Sequence, residues 1–297
     1  MINSHRKEAA TASSPVVSKT EFPELTLFKR GQEKDLYDLG ETLLVVATDR
    51  VASSRVIIEG TIPGKGQAVN QMSAYWFQRL RDVFPNHFIS ADMCDFPAAC
   101  QAHAEQLAGR SLLVKKAIPL PVKCVVRGYL TGDGWQEYQE TGGMGGIMLP
   151  SGMVESQRLP APLFIPHVKD VPPGTGFTAL EELFGRMLAE KLRSAALKIY
   201  FQAWKMARYR GVLIADTTFE FGIHEGAVLL IDECITPYSS LFWSLANYKP
   251  GAPQPALDKE YLLATFVNRT QTTTPCEIRH RISEEDQNLF RQITGQM

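Results

Sequence analysis

The segment VLIADTTFEFG, followed by AVLLIDE, carries Asp216, Glu220, Asp232 and Glu233 on two stretches that read as paired strands. Asp216 and Glu220 are four residues apart, so an unbulged strand turns both to one side. Carboxylates converging at strand ends suit Mg2+, a hard ion that keeps several waters and takes phosphate oxygens. The same residues also fit turn carboxylates that face water, and spacing alone does not choose.

Cations and small donors stand elsewhere in the chain. FKRGQEKD places Gly31, Gln32 and Lys34 in a glycine turn, where backbone N–H groups can cover phosphates. A plain hairpin with solvated lysines is the simpler reading of that turn. Arg127 in VVRGYLTGDGW can grip phosphate or carboxylate bidentately, although such an arginine more often makes a surface ion pair. Ser239 and Ser240 can donate to phosphate, with helix capping as the default. His167, in FIPHVKD beside Lys169, is the one histidine in a loop suited to a site; His87, His103, His224 and His280 read as exposed.

Positioning these groups takes strands first and helices later. Strands are expected at residues 25–30, 36–39, 42–48, 56–58, 112–117, 123–126, 212–216, 219–222 and 227–232. Helices are expected at 67–83, 132–139, 180–210 with Gly211 as the stop, 259–268 and 284–293. Residues 160–173, rich in proline, read as irregular. The sum is an α+β fold: a disordered leader over 1–20, a β-rich lobe over 21–120 and an α+β domain over 121–297.

Composition narrows the partners. The net charge of −1 gives no support for a nucleic-acid polymer or an anionic membrane as partner. No apolar run is long enough to span a bilayer and no secretory h-region opens the chain, so a cytoplasmic protein is expected. The five cysteines have no metal-type spacing and read as buried, reduced thiols.

Together the stretches LYDLGETLLVVATDR, IPGKG, SLLVKKAIPLPVKCVVRGYLTGDGWQEYQETG, LPAPLFIP, GVLIADTTFEFG and LLIDECITPYSSLFW resemble the SAICAR synthetase family, in the family's order, over residues 28–243. The resemblance implies a small β-rich lobe covering nucleotide, a larger α+β domain and a cleft between them. It implies that the turn at Gly31, with Gln32, Lys34, Asp216 and Asp232, faces ATP. It also implies that Glu220 and Asp232 hold Mg2+, and that Arg127, with Asp49, Arg50, Lys169, Ser239 and Ser240, binds the imidazole nucleotide. A homo-oligomer is compatible with it.

Against the family's patterns several positions differ. G-K-x-R-D is GQEKD here, D-R-x-S-A-F/Y-D is DRVASSR, and G-S-G/A-W is GDGW with Asp133. T-P-S-T-K-A is IPHVKD, D-T-K-F-E-F-G is DTTFEFG, and T-P-D-S-S-R-F-W is TPYSSLFW with Tyr238 and Leu241. Each lost charge-assisted contact costs roughly 1.5–3 kcal/mol. The expectation drawn from this is a divergent paralogue with Mg2+ and ATP use open. It would act on an imidazole- or purine-type nucleotide or nucleoside to form a 1,3-diazepine ring, as in coformycin- and pentostatin-type pathways, with His167, Glu220, Asp133 and Tyr238 as acid/base groups. The alternatives are a genuine SAICAR synthetase of purine biosynthesis and a non-catalytic nucleotide-binding protein.

Overall fold

A computed structural model describes residues 16–51, 60–169, 171, 176–257, 288–289 and 291–293. The order is β1 (Thr26–Arg30), β2 (Lys34–Asp38), β3 (Thr42–Ala47), α1 (Lys65–Leu80), β4 (Phe88–Ser90), α2 (Ala98–Gln101), α3 (Ala104–Leu107), β5 (Ser111–Lys115) and β6 (Ile118–Tyr129). It continues with α4 (Asp133–Thr141), β7 (Gly143–Met144), β8 (Ile147–Met148), β9 (Arg158–Val168), α5 (Gly176–Phe184), α6 (Arg186–Tyr209), β10 (Val212–His224), β11 (Ala227–Ile231) and β12 (Ser240–Ser244).

The first sheet has the order β1-β2-β3-β5-β4 and is antiparallel throughout. The second runs β11-β10-β6-β9, with β12 also on β10, again antiparallel. Alternation dictates the second sheet's two faces. Thr217, Phe219, Cys124 and Val126 are fully buried, while Asp216, Thr218, Glu220 and Val125 are half-buried on the other side. The apolar side packs on α6, whose buried stripe includes Leu192, Ala196, Ile199 and Ala203. One hydrophobic core runs from Leu43, Val45 and Val114 of the first sheet through Met72, Trp76 and Phe77 of α1 to Phe219, Phe242 and Trp243 of the second.

Several expectations are corrected. The prolines of 160–166 do not make an irregular segment; they sit in β9, an edge strand, where a missing N–H is tolerated. The long helix is two, broken at Gly185 with φ 78°, a left-handed conformation that suits glycine. The segments at 212–216 and 219–222 are one strand bent by a bulge between Ile214 and Asp216. Strand β12 was not expected; its PYSSLFW reading was taken up by the serines. His87 is buried, packed against Phe77, because β4 enters beside β11 through the His87 N–H to Leu230 carbonyl bond. Cys94 is exposed, whereas Cys100, Cys124 and Cys234 are buried thiols as expected. No helix among the described residues is long and apolar enough to cross a membrane. The strand expected at 56–58, the helix at 259–268, the 1–15 part of the leader, Cys276 and His280 lie outside the described residues.

Candidate functional site

The half-buried face of the second sheet brings candidates from three strands into register. Asp216 lies opposite Arg127, and Glu220 opposite Lys123, which in turn lies opposite His167. No bulge intervenes between Asp216 and Glu220, so the expected common side is realised. Arg127 is placed by a tight local fit. A Cβ on the next residue, Gly128, would collide with the Tyr200 hydroxyl, which donates to the Ile214 carbonyl at 2.7 Å. Arg127 Nη1 donates to the Thr131 carbonyl at 3.3 Å, while its buried Nε has no partner among the described residues. An orphaned guanidinium nitrogen facing this surface is a donor suited to an anionic ligand.

The electrostatics of the face follow from burial and from neighbours. Burial raises the Glu220 carboxyl, and the charge of Asp232 raises it further against the opposing pull of Lys123 and Lys34. Desolvation by its strand neighbours, although the ring still reaches solvent, and then the charges of Arg127 and Lys123 lower His167. Its side chain is exposed, on the strand rather than in a loop.

A second cluster joins the sheets. Lys34 Nζ donates to Asp232 Oδ1 at 2.8 Å and lies 3.8 Å from Glu233 Oε2. Burial alone would raise Asp232, but the Lys34 charge and hydrogen bond outweigh it and hold the carboxyl low. Lys65, at the start of α1, is buried; its Nζ donates to Glu33 Oε1 at 2.5 Å and sits 4.1 Å from the centre of the Tyr238 ring. Glu33, Lys34, Lys65, Glu233 and Tyr238 help line a cavity of only about 10 Å³, roughly one water in size.

Other candidates hold the frame in this structure. The Gly31 N–H bonds the Lys34 carbonyl at 2.8 Å, closing the turn on itself, and Arg50 donates to the carbonyls of Gly31 and Gln32. The fully buried Asp49 accepts from the N–H groups of Val17 and Gly66 and pairs with Arg110 at 3.1 Å. Ser239 Oγ accepts from the Thr236 N–H, which is the turn-capping role, and buried Ser240 meets Thr217 across the strands at 2.7 Å. Asp133 is exposed in the first turn of α4, where the helix dipole favours it. Lys169 is exposed just past β9, its N–H on the Pro121 carbonyl. A larger depression of about 460 Å³, lined by Arg79, Arg81, Phe88 and Asp92 among others, includes none of these residues.

Sequence reading missed Lys123, Lys65, Glu33 and Thr236. Lys123 was findable, being two and four residues from Val125 and Arg127 in one alternating strand. Lys65 and Glu33 carry no spacing signal, because their meeting depends on how α1 docks.

Fold and charge arrangement define the class: an α+β protein with two five-stranded antiparallel sheets and a mixed-charge strand face beside a lysine-bearing hairpin. The particular family follows from comparison. A family model described as SAICAR synthetase matches residues 27–276. The chain is 50% identical over 254 residues to the phosphoribosylaminoimidazole-succinocarboxamide synthase of Geotalea uraniireducens, covering 84% of this chain and 86% of that one. It is 47% identical over 294 residues to the synthase of the same name from Pelobacter propionicus, covering 95% and 99%. A solved SAICAR synthase of Saccharomyces cerevisiae, complexed with SAICAR, superposes with a TM-score of 0.84 at 36% identity, covering 94% and 98%. The chain belongs to the SAICAR synthetase family.

These findings overturn the expectation of a ring-forming paralogue. Relatives that share about half of all residues over most of the chain are named for the succinocarboxamide synthesis, not for diazepine formation. The expectation counted each departure from the family motifs as a lost contact and added the losses together. The structure shows why that misleads: Leu241 is packed in the core, exposed Gln32 contributes a carbonyl to the Arg50 network, and Lys34 keeps a cation at the carboxylates.

Proposed function

We propose that the chain performs the reaction its relatives are named for. It joins aspartate to carboxyaminoimidazole ribonucleotide, with ATP cleaved to ADP and phosphate, in purine biosynthesis. The carrying observation is near-half identity to named synthases across most of the chain. The strand face supports it with groups of both signs where an anionic nucleotide and its phosphate donor need them.

The carboxylates fit Mg2+. Glu220 is raised by burial and by the charge of Asp232, so the pair is under-neutralised and favours a cation. Glu220 and Asp232 would hold it, and when bound it screens phosphate charge during transfer. Arg127 and Lys123 bind the anionic imidazole nucleotide. His167, kept neutral beside them, accepts the proton released when the aspartate amine forms the amide. Tyr238, beneath Lys65 Nζ in the small cavity it shares with Lys34, stands beside the carboxylate corner.

An ADP-release assay with carboxyaminoimidazole ribonucleotide, L-aspartate and Mg-ATP, with product mass measured, tests this reading. Aspartate-dependent turnover to the succinocarboxamide is expected. Folded protein with no such product would overturn it.

A further inference from the structure

Two consecutive residues of a regular strand point to opposite faces. Asp232 and Glu233 nevertheless both lie within 4 Å of one nitrogen, Lys34 Nζ, at 2.8 and 3.8 Å. The backbone explains it. Asp232, just past β11, has φ 66°, and Ile235 has φ 50°. A left-handed β-branched residue is a true outlier, and such strain clusters where geometry is held for a purpose. The corner thus aims two carboxylates at one cation, and the cation it holds is a side chain from a hairpin 198 residues earlier. The lysine side chain is largely buried and the cavity around it has room for about one water. Glu220, one strand away, feels the charges of Asp232, Glu233 and Lys34 as well.

We propose that Lys34 is the resident counter-ion of the Asp232–Glu233 corner, displaced when a divalent cation arrives with nucleotide, so that its ammonium passes from carboxylate to phosphate. This rests on the nucleotide reading above. A lysine suits the exchange because its compact ammonium sits on a flexible stem and binds phosphate as a point charge. The exchange also prevents bare corner charges from facing each other before nucleotide binds.

The probe is Mn2+ alone, followed by electron paramagnetic resonance, with no substrate. Lys34→Met removes the competitor, so the Kd for Mn2+ should tighten at least tenfold. Adding Asp232→Asn to Lys34→Met should abolish the gain. An unchanged or weaker Kd in folded Lys34→Met overturns the proposal. Wild-type protein supplies an independent measurement should that variant fail to fold. Amine labelling of Lys34, read by mass spectrometry, should rise with Mn2+ along the same binding curve, and labelling indifferent to Mn2+ overturns the proposal. Neither readout needs turnover, so a failed exchange is distinguishable from failure of the ligase assay.

Discussion

The charged residues of the first sheet and those of the second live in opposite circumstances. Around β2 and β3, Asp35 is bound by Thr20, Arg30 and Arg50, and Asp49 by Arg110 and two backbone N–H groups. On the face of β6, β9 and β10, the buried Arg127 Nε has no hydrogen-bond partner among the described residues, and burial beside the charge of Asp232 pushes Glu220 up. Charge that is already matched holds a frame; charge left unmatched on a rigid strand awaits a ligand. The family motif ATDR and the acidic FEFG motif therefore look alike as text and differ in what they do.

Asp49→Ala should expose the contrast most strongly. Removing one partner of a buried pair leaves Arg110 uncompensated, at a cost of about 3–5 kcal/mol. Calorimetry should show a Tm drop of about 10 °C. A variant that kept its Tm and lost only nucleotide affinity would move Asp49 into the second group. Next in size is Glu220→Gln. It should lower kcat by about a hundredfold, in line with loss of one electrostatic group from a reacting centre, while Tm holds or rises because a poorly neutralised buried charge is gone. A matching loss of Tm would break the comparison from the other side.

His87 sharpens it at the junction. Burial lowers its pKa to about 3, against about 6.5 when unfolded. The unfolded chain therefore takes up the proton first as pH falls. The stability contribution is complete above pH 6.5 and is lost toward pH 3, at about 1.4 kcal/mol per unit. Between pH 6.5 and 5, His87→Leu should flatten the fall in Tm relative to wild type. An equal slope in both proteins would show that the histidine is not the source. The smallest effect belongs to exposed Lys169, where Lys169→Ala should change stability by less than about 0.5 kcal/mol.

Much of the frame could be read from sequence because alternation and turn chemistry are local. The hairpin of β2 and β3, the strands carrying Asp216 and Glu220, and α1 were all visible as periodic segments. Proline misled the reading of β9, since its cost depends on whether a strand is central or at an edge, which only the assembled sheet decides. Within the candidate site, residue types were legible but partnerships were not. The meetings of Lys34 with Asp232 and of Lys65 with Glu33 join distant positions and follow from docking. His87 was expected to be exposed although Phe88 and Ile89 follow it; its burial depends on β4 docking beside Leu230.

The prolines of β9 have one more consequence. Pro160, Pro162 and Pro166 each remove a backbone donor from an edge strand. A strand approaching from outside meets an edge with fewer donors, so backbone pairing there gains fewer hydrogen bonds.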